Sequence, residues 1–235
     1  MGGLIEVAAV IIGQATQRVE ASAQNVANAS TAGYKRRVPF EAALEAGGPN
    51  SGVRSSAALT YDFAPGKLVE TSNPYDLAIL REGFFVTRDD DRPVYTRQGQ
   101  FQRTADGRLA TSAGQVLQSD AGRDLVIESS DFTVDPQGVV LVGGEPVDRI
   151  AVATFEDLGQ LAPAESEGFL AAEGTARPSA HAAIRQGAFE ASNVASGEEM
   201  VAMMEALRRA ETGQRLVQVY DDLMARAITQ FGQTP

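Results

Sequence analysis

Few residues of this chain could carry catalytic or metal chemistry. His181 is the only histidine and cysteine is absent, whereas zinc sites need more nitrogen or sulfur ligands than one histidine supplies. The aspartate run 89–91 lacks the spaced oxygen ligands and the glycine of a calcium loop, so we expect a solvated hairpin tip. Asp76 and Glu82 could form the carboxylate pair of a glycosidase acting on peptidoglycan, but nothing in the sequence places them at a suitable separation. The sequence therefore predicts no catalytic, cofactor or metal site.

The charge balance restricts the partners of the chain. The 235 residues include 31 acidic and 20 basic side chains, which gives a net charge of -11. Binding to nucleic acid or to an anionic membrane needs a basic surface that neutralises phosphates, so we expect neither partner. The absence of cysteine excludes disulfides and thiolate chemistry, and it is compatible with a location outside the cytoplasm.

The apolar N-terminal run over residues 4–12 does not have the pattern of a signal peptide. No lysine or arginine precedes Arg18, and Glu6 interrupts the run. Gly13 then ends it well short of the roughly 20 residues that a membrane-spanning helix needs. We expect no direct membrane insertion, and we expect any export to proceed without a cleaved signal peptide.

Long helices are predicted at both ends of the chain, because apolar residues recur there at helical spacing. The first runs from about residue 4 to residue 29 and stops near Gly33, which suits a left-handed C-cap. The last begins at Ser196, which matches a capping box together with Glu199, and continues to about residue 231. This predicted helix is far longer than a typical helix of a globular domain, so we expect it to pack against a partner.

Each helix carries a stripe in which apolar residues recur every seven positions, with mostly small residues three positions later. In the first helix the recurring residues are Ile5, Ile12, Val19 and Val26, and the residues three positions later are Ala8, Ala15 and Ser22. In the last helix they are Met203, Ala210, Val217, Met224 and Phe231, followed by Ala206, Gly213, Tyr220 and Ala227. A narrow stripe of this kind suits close helix–helix packing, and neither helix can bury it alone. We therefore predict that the two helices pair with each other and with other copies of themselves.

The predicted assembly interface adds residues beside this stripe. Asn25 and Asn28 lie three positions apart near the end of the first helix, where they can bond neighbouring backbone or a partner helix. We favour this packing role over a frayed helix end. The complete predicted interface consists of Ile5, Ile12, Val19, Val26, Asn25, Asn28, Met203, Leu207, Ala210, Val217, Tyr220, Met224, Ile228 and Phe231.

The middle of the chain has the texture of an all-β domain. Short apolar runs are separated by turn signals from about Leu59 to Ile184, and Asp106-Gly107 is a hairpin signal because both residues tolerate positive φ. The glycine-rich stretch 47–52 predicts a flexible hinge. We predict an α+β fold in which long N- and C-terminal helices pair as a coiled-coil domain beside a central all-β domain. The predicted boundaries are 1–33 for the N-terminal helix, 34–65 for the flexible connector, 66–185 for the β-rich domain and 186–235 for the C-terminal helix.

Three stretches of the chain, in this order, carry a pattern typical of one protein family. Residues 24–35 read Gln-Asn-Val-Ala-Asn-Ala-Ser-Thr-Ala-Gly-Tyr-Lys, and residues 186–194 read Gln-Gly-Ala-Phe-Glu-Ala-Ser-Asn-Val. Between them, residues 66–109 include Asn-Pro-Tyr-Asp-Leu-Ala-Ile, Gly-Phe-Phe-Val and Tyr-Thr-Arg-Gln-Gly. These stretches resemble the rod and hook family, the axial proteins of the bacterial flagellum. The motif residues are Thr31, Gly33, Tyr34, Lys35, Asn73, Pro74, Gly83, Phe84, Phe85, Tyr95, Thr96, Arg97, Gly99, Ser192 and Asn193.

The resemblance implies a structural subunit and not an enzyme. Copies of the chain would assemble helically, with other flagellar rod subunits, into a hollow rod that crosses the periplasm and transmits torque. The flagellar type III export apparatus would be a further partner.

The chain is too short for the large insertion of a hook protein, and it is most similar to proximal rod subunits, with distal rod subunits as the alternative. Ala32 and the pair Arg81-Glu82 depart from the family pattern. A secreted β-domain cell-wall enzyme and an adaptor that binds one partner helix are the competing interpretations.

Overall fold

The computed structural model describes residues 3–39, 59–129, 131–179 and 182–231. Helices α1 (Gly3–Ala27) and α2 (Ser196–Phe231) lie at the two ends of the chain, and strands occupy the region between them. The predicted α+β class is therefore confirmed. The described residues fall into two compact units. The helical unit contains α1, α2 and the described part of 37–62, and the β unit contains residues 28–36 and the described part of 63–194.

Helix α1 forms because its sequence is rich in alanine, glutamine and aliphatic residues and contains no proline. It ends at Ala27, two residues before the predicted end. The amide of Thr31 donates to the carbonyl of Asn28 at 3.1 Å, and this turn takes the place of a further helical turn. Gly33 follows with a φ of 67°, the left-handed conformation that its position after the helix predicts.

Helix α2 begins at Ser196, as predicted, and extends over 36 residues. The amide of Glu199 donates to the carbonyl of Ala195 at 3.1 Å. Because the N-cap carbonyl accepts the first intrahelical bond, the N-cap is Ala195, one residue before the serine that the capping-box pattern predicts. Over the described ranges, neither helix combines the length and apolar character needed to cross a bilayer.

A pair of short strands accompanies the helices in the helical unit. β1 (Arg37–Pro39) and β2 (Leu59–Tyr61) are antiparallel, with Arg37 opposite Tyr61. They lie within 34–65, where the sequence predicts only a connector, because strands of three residues leave too short a pattern to recognise. The glycine-rich stretch 47–52, predicted as a hinge, lies outside the described residues.

The β unit is built from short antiparallel strands joined by turns, as the all-β prediction requires. A 3₁₀ turn, Leu158–Gln160, lies between the thirteenth and fourteenth strands. The strands are β3 (Leu68–Glu70), β4 (Leu77–Ile79), β5 (Phe84–Asp89), β6 (Arg92–Thr96), β7 (Gln102–Arg103), β8 (Leu109–Ala110), β9 (Val116–Leu117), β10 (Phe132–Val134), β11 (Val139–Val142), β12 (Glu145–Arg149), β13 (Val152–Thr154), β14 (Ala162–Pro163), β15 (Phe169–Leu170), β16 (Arg177–Pro178), β17 (Ile184–Gln186) and β18 (Ala188–Glu190).

The largest sheet of the described residues follows the order β14-β15-β6-β5-β9-β8-β7, and β13 joins it by pairing with β5 and β16. A three-stranded sheet has the order β10-β11-β12, and two further pairs are β4–β17 and β3–β18. The pairing of β18 with β3 places residues 188–190 in the β unit. The sequence assigns 186–235 to the C-terminal helix, so its boundary is corrected to the start of α2.

Two predicted turns are confirmed. Asp90 and Asp91 are exposed at the tip of the β5–β6 hairpin, where Asp90 has a φ of 50°. Gly107 has a φ of 81° in the turn between β7 and β8. Positive φ costs little at glycine and is tolerated by aspartate, so both sites follow from residue type.

The core of the β unit is formed by β4, β5, β8, β9, β10, β11, β13 and β17 and by the loops beside them. Leu77, Phe85, Phe101 and Leu117 are fully buried, and the rings of Phe85 and Phe101 meet edge to face at 5.5 Å. Gly99 passes so close to β4 that an added Cβ would lie 1.7 Å from the carbonyl oxygen of Leu77. This close approach explains why the family motif has glycine there.

Candidate functional site

On α1, the predicted stripe is buried at its small residues. Ala8, Ala15 and Ser22 are almost fully buried, whereas Ile5 is 43% exposed. The other large residues of the stripe, Ile12, Val19 and Val26, are half-buried. The helix therefore contacts its partner through small side chains, and part of each large side chain remains accessible.

On α2 the same division holds. Ala206 and Gly213 are buried, and a Cβ added to Gly213 would lie 2.7 Å from Cγ1 of Ile12, so α1 and α2 pack in direct contact. Among the predicted interface residues, Leu207 and Met224 are exposed. The side chains of Ile228 and Phe231 lie outside the described part. The half-buried members are Met203, Ala210, Val217 and Tyr220.

Asn25 has a defined role inside the helical unit. It is 1% exposed, its Nδ2 donates to the carbonyl of Arg37, and its Oδ1 accepts from the amide of Arg37, both at 2.8 Å. The Arg37 guanidinium also bonds Gln24 and lies 5.5 Å from the ring centre of Tyr61. Asn25 thus fastens α1 to β1, which agrees with the packing role predicted for it. Its participation in an interface between copies stays a prediction, as does that of Asn28, whose Oδ1 accepts from Thr31.

The β unit contains a buried cluster of three charged side chains. Lys35 Nζ lies 2.6 Å from Oε1 of Glu190, and Arg97 Nη1 lies 3.0 Å from Oε2. The three side chains are 1%, 5% and 9% exposed for Lys35, Glu190 and Arg97. Burial lowers the pKa of the Arg97 guanidinium, and the attraction of Glu190 opposes that shift. One carboxylate therefore forms ion pairs with two cations that are held away from water.

Backbone groups add further hydrogen bonds to this cluster. Glu190 Oε1 also accepts from the amide of Gly66 at 2.8 Å, and Lys35 donates to the carbonyl of Ala64 at 2.9 Å. Arg97 donates to the carbonyl of Arg81 at 2.7 Å. Buried charges are tolerated when they are paired and hydrogen-bonded. Each of the three charged groups has an ion-pair partner and a hydrogen bond, whereas Nε of Arg97 is buried without a hydrogen-bond partner.

Residues of all three family-motif stretches surround the cluster. The amide of Gly33 donates to the carbonyl of Glu190 at 2.7 Å, and a Cβ on Gly33 would lie 2.2 Å from the carbonyl carbon of Arg97. Asn193 accepts from the amide of Arg36 at 2.8 Å and donates to the carbonyl of Ala64 at 3.0 Å. The motif therefore describes one junction of the β unit, where the segments next to α1 and α2 in sequence meet.

Glu190 is the residue that the predicted site omits. The sequence indicates Lys35 and Arg97 through the motif, but it does not show that they share a carboxylate. A signal was present, since Glu190 lies within the stretch 186–194 that resembles the family. Glu190 lies in strand β18, which has only three residues. A strand this short shows too little alternation of apolar and polar residues to predict that the Glu190 side chain is buried.

The remaining motif residues are structural. Phe84 packs edge to face on Phe63 at 5.8 Å, and Tyr95 packs on Phe155 at 4.9 Å. Gly83 has a φ of 133°, so the motif glycine is required by the backbone conformation. The carbonyl of Pro74 accepts from Nε2 of Gln186, and the carbonyl of Tyr34 accepts from the amide of Asn193. The hydroxyls of Thr96 and Ser192 accept from the amides of Gln98 and Val194.

The carboxylates considered for catalysis are not arranged for it. Asp76 is 4% exposed and accepts from Thr71 at 2.7 Å and from Asn73 at 3.0 Å, so it closes a turn. Glu82 is exposed. Among the described side chains, no group of three or more histidine, cysteine, aspartate or glutamate residues could hold a metal ion. His181 lies outside the described residues.

Comparison with known proteins identifies two matching families. Residues 78–142 match the family described as flagellar hook protein FlgE/F/G D1 domain, and residues 185–230 match the family described as flagellar basal body rod FlgEFG protein C-terminal. The flagellar basal-body rod protein FlgF of Caulobacter vibrioides is 31% identical over 222 residues, which cover 90% of either chain. FlgF of Salmonella typhimurium is 29% identical over 88% of this chain and 89% of its own. FlgG of Borreliella burgdorferi is 28% identical over 89% of this chain and 91% of its own.

The buried cluster generates a stability prediction. Glu190→Gln removes the negative charge that pairs with both Lys35 and Arg97, so two buried cations lose their partner. We expect the β unit to lose about 3–5 kcal/mol of unfolding free energy. Urea denaturation followed by far-ultraviolet circular dichroism measures this loss.

The matched control is Glu70→Gln, since Glu70 pairs with Arg185 at the surface and is 69% exposed. Its loss should stay below about 1 kcal/mol. Equal losses in the two variants would show that the buried cluster contributes no more than a surface ion pair.

Proposed function

The chain belongs to the flagellar basal-body rod proteins as a structural subunit, and we propose that it polymerises through α1 and α2 into the hollow shaft of the rod. The β unit has a complete core of its own, with Phe85, Phe101 and Leu117 fully buried. The helical unit differs, because its helices meet through small residues and leave large apolar side chains accessible. This contrast is the observation that carries the proposal.

The accessible apolar surface of α2 is extensive. Large apolar side chains that are 39% to 58% exposed occur along most of its described length: Met200, Val201, Met204, Leu207, Leu216, Val219, Leu223 and Met224. Extensive exposed apolar surface on a protein marks an interaction site. We propose that the heptad stripe pairs α1 with α2 as a coiled coil and that neighbouring copies and other rod subunits cover the rest. A heterologous contact that does not close then produces a filament.

The subtype that we propose is the proximal rod subunit, with the distal rod subunit as the alternative. The proposal is supported by the length of the chain and by the motif resemblance described above. A small tag at the C-terminus, labelled with gold in isolated basal bodies, tests the position. We expect label at the end of the rod nearest the cytoplasmic membrane, and label confined to the opposite end would assign the chain to the distal rod.

Export by the flagellar type III apparatus, without a cleaved leader, is a further part of the proposal. It is supported by the use of the N-terminal residues in the folded chain, since Ala8 is fully buried in α1. Mass spectrometry of the chain extracted from basal bodies provides the test. We expect the peptide that ends at Arg18 to retain residues 4–12, and a chain that begins beyond Ile12 would contradict this route.

A matched pair of glycine variants tests polymerisation through the helix pair. In Gly213→Val the new side chain meets Ile12, because an added Cβ would already lie 2.7 Å from its Cγ1. In Gly13→Val, nothing lies within 4 Å of an added Cβ. Both variants change helix propensity in the same way, so their difference reports the contact between α1 and α2.

We expect Gly213→Val to reduce the number of copies in isolated basal bodies about tenfold or more relative to Gly13→Val, since overpacking separates the helices. Limited proteolysis should show that the β unit stays folded in both. Equal incorporation of the two variants would overturn the proposal that assembly depends on this contact.

A further inference from the structure

Helix α2 carries two exposed apolar strips in addition to the stripe that contacts α1. We name them the N-strip, formed by Met200, Met204 and Leu207, and the C-strip, formed by Leu216, Val219 and Leu223. Their six side chains are between 40% and 58% exposed. They differ in position along the helix, since one occupies its first third and the other its last half.

The two strips lie on different sides of the helix. Successive residues of an α-helix are rotated by about 100°, which places the strips roughly 120° apart, one on either side of Ala206 and Gly213. In the heptad that begins at Met203, Met200 and Leu207 occupy e positions, and Leu216 and Leu223 occupy g positions. Such positions usually carry charged residues in a two-stranded coiled coil, so apolar residues here indicate contacts beyond the α1–α2 pair.

The strips match in length, and their internal spacings are reversed: 4 then 3 positions in the N-strip, and 3 then 4 positions in the C-strip. Leu216 follows Met200 by 16 positions, Leu223 follows Leu207 by 16, and Val219 follows Met204 by 15. An exposed charged residue follows each strip on the same side of the helix, and the two charges have opposite signs. Glu211 lies one turn beyond the N-strip, and Arg226 lies one turn beyond the C-strip.

We infer that the C-strip of one copy packs on the N-strip of a neighbouring copy. The inference rests on the proposed function, and it specifies which surfaces meet and with what displacement. The two α2 helices run parallel and are displaced by 16 residues, which corresponds to about 24 Å along the helix. Because the contact joins two different surfaces, each copy leaves one strip free for the next, and the contact repeats without closing.

The charges determine the direction of the pairing. In the parallel arrangement, Arg226 of one copy lies beside Glu211 of its neighbour, at the same end of the paired strips. In an antiparallel arrangement the two charges would lie at opposite ends. Complementary charges of this kind fix register and orientation more than they add affinity. A second copy is the occupant that satisfies both strips and both charges at once.

Disulfide trapping tests the register directly, because the chain has no cysteine of its own. The variant carries Leu207→Cys and Leu223→Cys and is the sole copy of the chain in the cell. Within one helix these positions are about 24 Å apart, too far for a disulfide, which needs Cα atoms within about 7 Å. Isolated basal bodies are oxidised and resolved on a non-reducing gel, where we expect covalent dimers and larger oligomers.

The control variant combines Leu207→Cys with Leu216→Cys and should remain monomeric, as should each single cysteine variant. A chain that is present in basal bodies but forms no cross-link through Leu207→Cys and Leu223→Cys would overturn this register and leave the proposed function intact. Dimers of the Leu207→Cys variant alone would also overturn it, since they indicate a symmetric contact. Absence of the wild-type chain from basal bodies would overturn the proposed function itself.

A charge exchange provides a second measurement that does not depend on cysteine. Glu211→Arg and Arg226→Glu should each reduce incorporation about fivefold, and the two changes together should restore it. Failure of the double exchange to restore incorporation would contradict the pairing of these two charges.

Discussion

The burial of Glu190 between Lys35 and Arg97 is the interaction on which the β unit depends. Two cations and a carboxylate are withdrawn from water, at distances of 2.6 Å and 3.0 Å, and the amide of Gly66 bonds the same carboxylate. The cluster depends on Glu190, because loss of its carboxylate leaves two buried cations without an ion-pair partner. It therefore imposes one pairing on three segments that are far apart in the chain.

The helical unit obeys a different constraint. Small residues at Ala8, Ala15, Ala206 and Gly213 allow α1 and α2 to approach closely, but small residues bury little apolar area and contribute little hydrophobic free energy. The large apolar residues of α2 stay exposed. A chain that has one unit with a complete core and another whose apolar surface is incompletely buried is expected of a subunit that assembles, since neighbours supply the missing burial.

Several features of the fold can be predicted from the sequence because they depend on local residue patterns. The heptads at Ile12 and Gly213, the left-handed Gly33 and the turn at Asp106-Gly107 each follow from residue type and spacing. The same reasoning misplaced the N-cap by one residue and assigned residues 188–190 to the C-terminal helix, because strand β18 is too short to produce a recognisable period. Strands β1 and β2 were missed for the same reason.

The class of the fold, its two terminal helices and the family follow from the order of the amino acids, since these depend on periodicity and on motifs along the chain. Which charges meet and which face of each helix is covered depends on the packing of the folded chain. Lys35 and Glu190 are 155 positions apart, and no local pattern relates residues at that separation. Their contact, like the exposure of the two apolar strips on α2, results from how the chain packs in three dimensions.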